Sequence, residues 1–577
     1  MTQVHLEVEN EQSSGYQLTI ADGALLLIGA ATAVLRLVNL GGPPLAPAEA
    51  EAALTVWQFW QPGQAELAIG SPAYFTLTGL LAQVLGFSDG VMRLVPALFG
   101  VGLVLLPWLL RKQLGAAGML ATAVFLAISP ITTAIARTVG GDSIALFAAL
   151  LLLVAWVRLQ TDGAARRRYA LLIALALGLT SAPLFYSALL TLAAAWLLLR
   201  LFGPRFGEEK VGLGETAVWR TPALVAGTLF LALTTTFLLN LSGFGATFTL
   251  LSDWLGQFGR SAAVAWGAPL LAVGRYEPGL LLFGLFAIVW AVWRGHPLGS
   301  LAVYWLLALL VLLLAQQGVM VNAGLVSLAA ALLLGSFAGA IIGEGVEPHG
   351  WALAGGLLAV WAIMFVNISR YARASQFQPE DLSYIWVAIF GLTLGLTAVY
   401  FLITWEPRAT YQGLLLSLLA FLIFYSWGAA WRLGHLAAND PRETWVTAGA
   451  TDDLRLMIAT LQDLSWQMAR SERDLDVLST VNSPLLGWYL RDFRNLQIVE
   501  ALPPATTHSV VITPFTAEPA LGSDYIGTDF GLWRSGATPG FSQSPIIDTL
   551  RWWLLSHTNN QIQEERVIIW LRADLAG

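Results

Sequence analysis

Long apolar runs separated by short polar breaks fill the first three quarters of the chain, and the last quarter loses that pattern. Thirteen nearly uncharged segments predict helices that cross about 30 Å of hydrocarbon: residues 23–40, 94–110, 114–135, 143–157, 169–183, 185–201, 221–240, 277–293, 297–315, 323–342, 350–368, 384–404 and 411–431. The apolar run at 73–87 (AYFTLTGLLAQVLGF) has about fifteen residues, short of the roughly twenty a span requires, and predicts a helix lying along the membrane surface. Beyond residue 440, strand-like runs at 475–480, 496–499, 509–513 and 567–571 follow a helical stretch at 452–470 for which Thr451-Asp452-Asp453 supplies an N-cap. The predicted fold is mainly α: a polytopic transmembrane helical bundle with a small C-terminal α/β domain. Its parts are an N-terminal segment 1–22, a membrane domain 23–435 and a water-facing domain 436–577.

Composition agrees, since 56% of the 577 residues are hydrophobic and 12% charged, where a soluble protein carries about a quarter charged. The placement of Lys and Arg orients the bundle. With the N-terminus inside and 73–87 on the surface, about twelve basic residues, from Arg111 and Lys112 to Arg408, fall in inner loops and about six in outer ones. This predicts an integral protein of the plasma membrane with its C-terminal domain outside. The first 21 residues lack the basic start and cleavage site of a signal peptide, so the first apolar segment is expected to remain as a helix. No basic run interleaves with aromatics, which argues against nucleic acid. The absence of cysteine excludes disulfides, thiolate metal sites and a cysteine nucleophile.

Candidate chemistry concentrates in the outer loops. The first loop carries Glu49 and Glu51, which can act as a base or bind a divalent metal, or can simply open an amphipathic helix and complement its dipole. In ARTVGGDSIALF, Arg137 and Asp142 flank a Gly140-Gly141 break. Asp142 suits an N-cap as well as a catalytic acid, and Arg137 suits snorkelling or bidentate phosphate binding. The third loop supplies Arg260, Arg275, Tyr276 and Glu277 among aromatics; Arg260 and Arg275 can neutralise a lipid phosphate, while Trp254 and Trp266 fit an interfacial belt. His508 and His557 have no ligand partners at metal-binding spacing, and no glycine-rich nucleotide loop follows a strand.

Taken in order, these loops resemble the GT-C superfamily of membrane glycosyltransferases, which includes protein mannosyltransferases and aminoarabinose transferases. The likeness runs through residues 24–205: LRLVNLG with a Pro-rich loop and acidic residues, SPAYF, GVMRLVPALFG and ARTVGGDSIALF. RYEPGLLLFG and LLGWYLRDF further resemble a bacterial and archaeal subgroup described as flippase-activity-associated. The resemblance implies transfer of a sugar from a polyprenyl-phosphate carrier to a glycan, lipid or protein acceptor. Glu49 would be the catalytic base, Asp142 a supporting acid, Arg137, Arg260 and Arg275 the phosphate contacts, and Glu51, Tyr276 and Glu277 supporting residues. The chain departs from the family where Ala48 replaces the usual Asp before Glu49, where Ser71-Pro72-Ala73 replaces a His-Pro-Pro-like sequence, and at Gln316-Gln317-Gly318-Val319. A non-catalytic relative that assists export of lipid-linked sugars is therefore the alternative. A transporter is the third reading, disfavoured by the lack of internal repeats and of ionisable residues in mid-span.

Overall fold

The computed structural model describes residues 19–62, 69–162, 165–204, 217–259, 267–343, 345–374, 383–503, 506–515, 519–522, 524–536, 546–555 and 562–575. The membrane domain is built of α1 (Ile20–Leu37), α2 (Pro47–Phe59), α3 (Pro72–Leu85), α4 (Asp89–Leu105), α5 (Arg111–Ile128), α6 (Pro130–Ala136), α7 (Asp142–Asp162), α8 (Ala165–Leu179) and α9 (Pro183–Phe202). It continues through α10 (Ala217–Thr234), α11 (Gly243–Gly256), α12 (Ala268–Tyr276), α13 (Pro278–Arg294), α14 (Pro297–Ala315), α15 (Ala323–Ile342), α16 (Pro348–Ala374), α17 (Ser383–Trp405) and α18 (Pro407–Trp431), which ends in a wide π turn, Arg432–Leu436.

Every predicted span coincides with a helix, because lipid leaves the backbone no partner but itself. Among the described residues nine stretches are long and apolar enough to cross a membrane, making this an integral membrane protein. One of the nine, Asp89–Ile128, holds both α4 and α5. Its 40 residues would measure about 60 Å as one helix, two bilayer thicknesses, and non-helical Gly115 breaks it. The helix α3, at 14 residues, is short of a span and packs on α4 and α10.

One predicted span is not continuous, and another starts at a sharp bend. The segment 114–135 breaks at Ser129-Pro130, and Pro278 separates α12 from α13 with an 89° bend. Proline removes the N–H that the carbonyl four residues earlier would receive, and hydropathy does not register that loss. Other side chains answer it. The Leu126 carbonyl, freed by Pro130, accepts from Arg36 Nη2 at 2.8 Å and Thr132 Oγ1 at 3.0 Å. The Met92 carbonyl, freed by Pro96 within α4, accepts from the Tyr74 hydroxyl at 3.0 Å. Broken helices are thus present, although the hydropathy pattern gave no sign of them.

The C-terminal part forms one six-stranded sheet, order β1-β5-β6-β4-β2-β3. The strands are β1 (Ala448–Ala450), β2 (Asp476–Ser479), β3 (Asn495–Ile498), β4 (Val510–Pro514), β5 (Tyr525–Gly536) and β6 (Ile562–Arg572). The strand β2 pairs in parallel with β3 and β4, and the remaining pairs are antiparallel. Helices α19 (Asp453–Ala469), α20 (Pro484–Leu490) and α21 (Ile546–Leu555) accompany it, α20 packing on α2 and α21 on α16. The first loop, the 137–142 turn and the start of α4 therefore share the sheet end of the bundle.

Candidate functional site

Glu49 lies in the first turn of α2, behind Pro47, and is buried. Its Oε2 accepts the Ala46 N–H at 2.9 Å and bonds Arg93 Nη2. Its Oε1 accepts Arg93 Nε and, at 2.8 Å, the Val139 N–H. Four donors thus converge on one carboxylate, tying α2, α4 and the 137–142 turn together. Arg93 also donates to the carbonyls of Leu40, Pro43 and Pro44, which shapes the first loop. The sequence reading counted Arg93 only as one of the outer-loop charges; an arginine opening an otherwise apolar helix was the available clue.

Arg137 turns away from solvent as well. Its guanidinium donates to the carbonyls of Gly434, Leu35, Arg36, Val38 and Asn39, capping the C-terminal end of α1 and the π turn of α18. Burial, with Arg93 nearby, pushes it down to about 10, so it stays charged at neutral pH. Between these groups lies a chamber of about 220 Å³, lined by Ala48, Glu49, Arg93, Arg137, Asn439 and Trp445 among others. Ala48 presents a methyl there, and Glu49 is the sole carboxylate in its wall.

Asp142 is the first residue of α7 and is half-buried. Its carboxylate has no hydrogen bond or ion pair among the described residues, so its lone pairs are uncommitted. Glu49 and Asp142 are linked through the turn that Val139 anchors. Glu51 lies on the exposed face of α2, and Arg260 falls outside the described residues. Among the described residues no three His, Asp or Glu side chains converge as a metal site would require.

A second feature begins at Arg275-Tyr276-Glu277. Arg275 Nη2 lies 3.0 Å from Glu443 Oε2, and the Tyr276 hydroxyl donates to the same oxygen at 2.6 Å. Arg432 Nε lies 3.0 Å from Glu443 Oε1. This cluster heads a mainly apolar groove of about 550 Å³ between α16 and α18, walled by Phe365, Phe421, Tyr425 and Trp553. The segment 428–448 contributes to both, with Gly428, Ala429, Arg432 and Glu443 on the groove and Leu433, Gly434, Asn439 and Trp445 on the chamber. Glu443 and Arg432 were missed in the sequence; an acid just beyond the last span was their only mark. Glu277 points elsewhere, into the bundle.

The LLGWYLRDF segment forms α20 and its exit, and it fastens the sheet domain to the first loop. The Trp488 indole and Tyr489 hydroxyl donate to Asp89 Oδ1 and Oδ2 at 2.9 and 2.8 Å, and the Tyr489 hydroxyl accepts the Leu45 N–H at 2.8 Å. Burial and the adjacent Asp89 push the phenol up, so it remains a hydrogen-bond donor. Arg491 lies over the Trp488 ring at 3.8 Å and donates to the Phe87 carbonyl. Gly487 permits this approach, since a Cβ there would meet Leu54 Cδ2 at 2.9 Å.

No family profile and no curated protein matches the sequence. Among solved structures, ArnT from Cupriavidus metallidurans bound to undecaprenyl phosphate is similar with a TM-score of 0.56 and 16% identity, over 96% of this chain and 99% of that one. Its apo state gives 0.52 and 14%, over 97% and 100%. Likeness at such identities is likeness of fold, and it extends through bundle and sheet domain alike. The chain shares the fold of that structure.

Proposed function

We propose that the protein binds a polyprenyl-phosphate-linked sugar and transfers the sugar to an acceptor on the outer face of the plasma membrane. The observation that carries this reading is the apolar groove between α16 and α18, which ends at Arg275 and Arg432 and shares the segment 428–448 with the chamber beside Glu49. An isoprenoid tail fits such a groove by the hydrophobic effect, at about 0.8 kcal/mol per buried CH₂. The two guanidiniums face the phosphate, and the sugar stands at the rim of the chamber on the side that Arg137 and Thr138 line, next to the turn that carries Asp142. The similar fold of ArnT bound to undecaprenyl phosphate supports the ligand class.

Transfer requires a carboxylate to take the proton of the attacking acceptor hydroxyl. Asp142 is assigned that role here in place of Glu49. A carboxylate that already accepts four donors, two from an arginine, has no lone pair aimed at a substrate. Asp142 stands on the adjacent turn with its oxygens uncommitted. Glu49 is then the residue that sets the position of that turn.

A second reading is favoured by Ala48, whose methyl lines the chamber where the family carries an acid: the protein binds the lipid-linked sugar without transferring it. One experiment separates the two. Purified protein is given a radiolabelled polyprenyl-phosphate sugar, and both binding and release of the sugar from the lipid are followed. Transfer that is lost in Asp142→Asn while binding persists supports the first reading. Binding without release by the native protein establishes the second, and absence of binding refutes both.

A further inference from the structure

Glu277 stands between two broken helices. It occupies the 89° bend between α12 and α13, and its Oε1 accepts from Ser129 Oγ at 2.5 Å, the residue at the α5–α6 break. Ser327 Oγ of α15 donates to the same oxygen at 2.6 Å. Both breaks are made by prolines, Pro130 and Pro278, so two discontinuous helices meet through their break residues. Ser129 is eight residues before Arg137, which places this contact about 12 Å beneath the sheet end of the bundle.

The other side of Glu277 opens on a cavity of about 10 Å³, walled by apolar residues of α5, α15 and α18 together with Ser426. That is about the space of one water molecule or one small ion. Among the described residues Glu277 is in no ion pair, and no Lys, Arg or His lines the cavity. The nearest cation in sequence, Arg275, turns to Glu443, as does Tyr276. A carboxylate in an apolar bundle with neutral neighbours either takes a proton or needs a positive charge beside it. Carboxylate and serine oxygens at the ends of broken helices are the donor set that Na⁺ accepts in membrane bundles.

We propose that Glu277, Ser129, Ser327 and the adjoining cavity form a binding site for a single monovalent cation, Na⁺. The ion would fix the α5–α6 and α12–α13 breaks against one another, and with them the turn carrying Asp142 and the Arg275–Tyr276 pair. The inference does not depend on the sugar-transfer reading, because it concerns an occupant of the bundle and is tested without substrate.

The full chain, purified in detergent, is titrated with NaCl against choline chloride at constant ionic strength, with ²²Na⁺ binding measured in parallel. The expected result is saturable binding of about one Na⁺ per chain and a rise in melting temperature of at least about 2 °C. Glu277→Gln should abolish binding and the rise, and Ser327→Ala should weaken binding about tenfold or more while the protein stays folded. Folding of each variant is checked by gel filtration. Absence of ²²Na⁺ binding by the native chain, or equal binding by folded Glu277→Gln, overturns the site. So does stability that follows pH and ignores Na⁺, because the occupant is then a proton.

Discussion

Replacing Glu49 by Gln tests whether this residue is an anchor or a base. In the native protein Oε1 receives Arg93 Nε and the Val139 N–H, while Oε2 receives Arg93 Nη2 and the Ala46 N–H. Glutamine keeps one oxygen for one of these pairs and turns an NH₂ toward the other, so two donors face donors. Arg93 loses its counter-charge while buried, although the carbonyls of Leu40, Pro43 and Pro44 still hold part of its guanidinium. Removing one partner of a buried pair costs about 3–5 kcal/mol, and the retained carbonyls put the expectation near the lower end. With an unfolding entropy of roughly 2 cal/mol/K per residue, a chain of 577 residues melting as one unit drops about 1 °C per kcal/mol. Glu49→Gln should therefore melt about 3–4 °C below the native protein in detergent. Asp142→Asn removes a charge that has no partner and should cost only its helix-dipole contribution, about 0.3–1 kcal/mol, while losing transfer about hundredfold or more. The reasoning is refuted if Glu49→Gln melts with the native protein yet has lost transfer, since Glu49 would then be the base.

Three further outcomes are expected. Arg275→Lys replaces a fork that reaches both Glu443 and Thr444 by a point charge, and should weaken binding of a polyprenyl phosphate about tenfold; unchanged affinity in a native mass-spectrometric titration removes Arg275 from the head site. Tyr489→Phe leaves the Leu45 N–H without its acceptor and should destabilise the docking of α20 by about 1–3 kcal/mol, seen as faster proteolysis between the bundle and the sheet domain; equal cleavage rates contradict the fastening role. A reporter fused after Gly577 should be active only outside the cytoplasm, as the basic-residue asymmetry of the loops requires, and a cytoplasmic signal overturns the orientation.

The helices were legible because the membrane reduces the choice of backbone structure to one, and an apolar run of sufficient length then has a single reading. Strand β5 was not, since YIGTDFGLWRSG places Gly and Asp where alternation would be sought, and its pairing with β6 compensates only in three dimensions. The breaks at Pro130 and Pro278 were visible as prolines, yet whether a proline bends or ends a helix depends on what receives the freed carbonyl. Arg36, 90 residues from Leu126 in sequence, supplies that answer for Pro130. The candidate site was legible as a set of loops and residue types. Its division of labour was not, because the partner that occupies Glu49 lies 44 residues away on α4 and the bonds that occupy Arg137 run to backbone carbonyls, which carry no sequence mark.

The partnered acids at the sheet end each join elements distant in sequence. Glu49 holds α2 to α4 and to the 137–142 turn, Glu443 joins α12 to the π turn of α18, and Asp89 receives Trp488, Tyr489 and Arg455 from the sheet domain. Such pairs are costly to desolvate and add little stability over apolar packing. What they provide is registry: each fixes one loop against another at a defined distance. Asp142 has no such task, since its carboxylate joins nothing. A half-buried acid without a partner among the described residues, beside Glu49, Glu443 and Asp89 that are each engaged, is a poor choice for stability and a good one for chemistry, provided that its turn is held still. The Glu49 oxygen on the Val139 N–H does hold it. The anchoring of one acid and the freedom of the other are therefore a single arrangement, and a change that loosens Glu49 should reach catalysis through the position of Asp142.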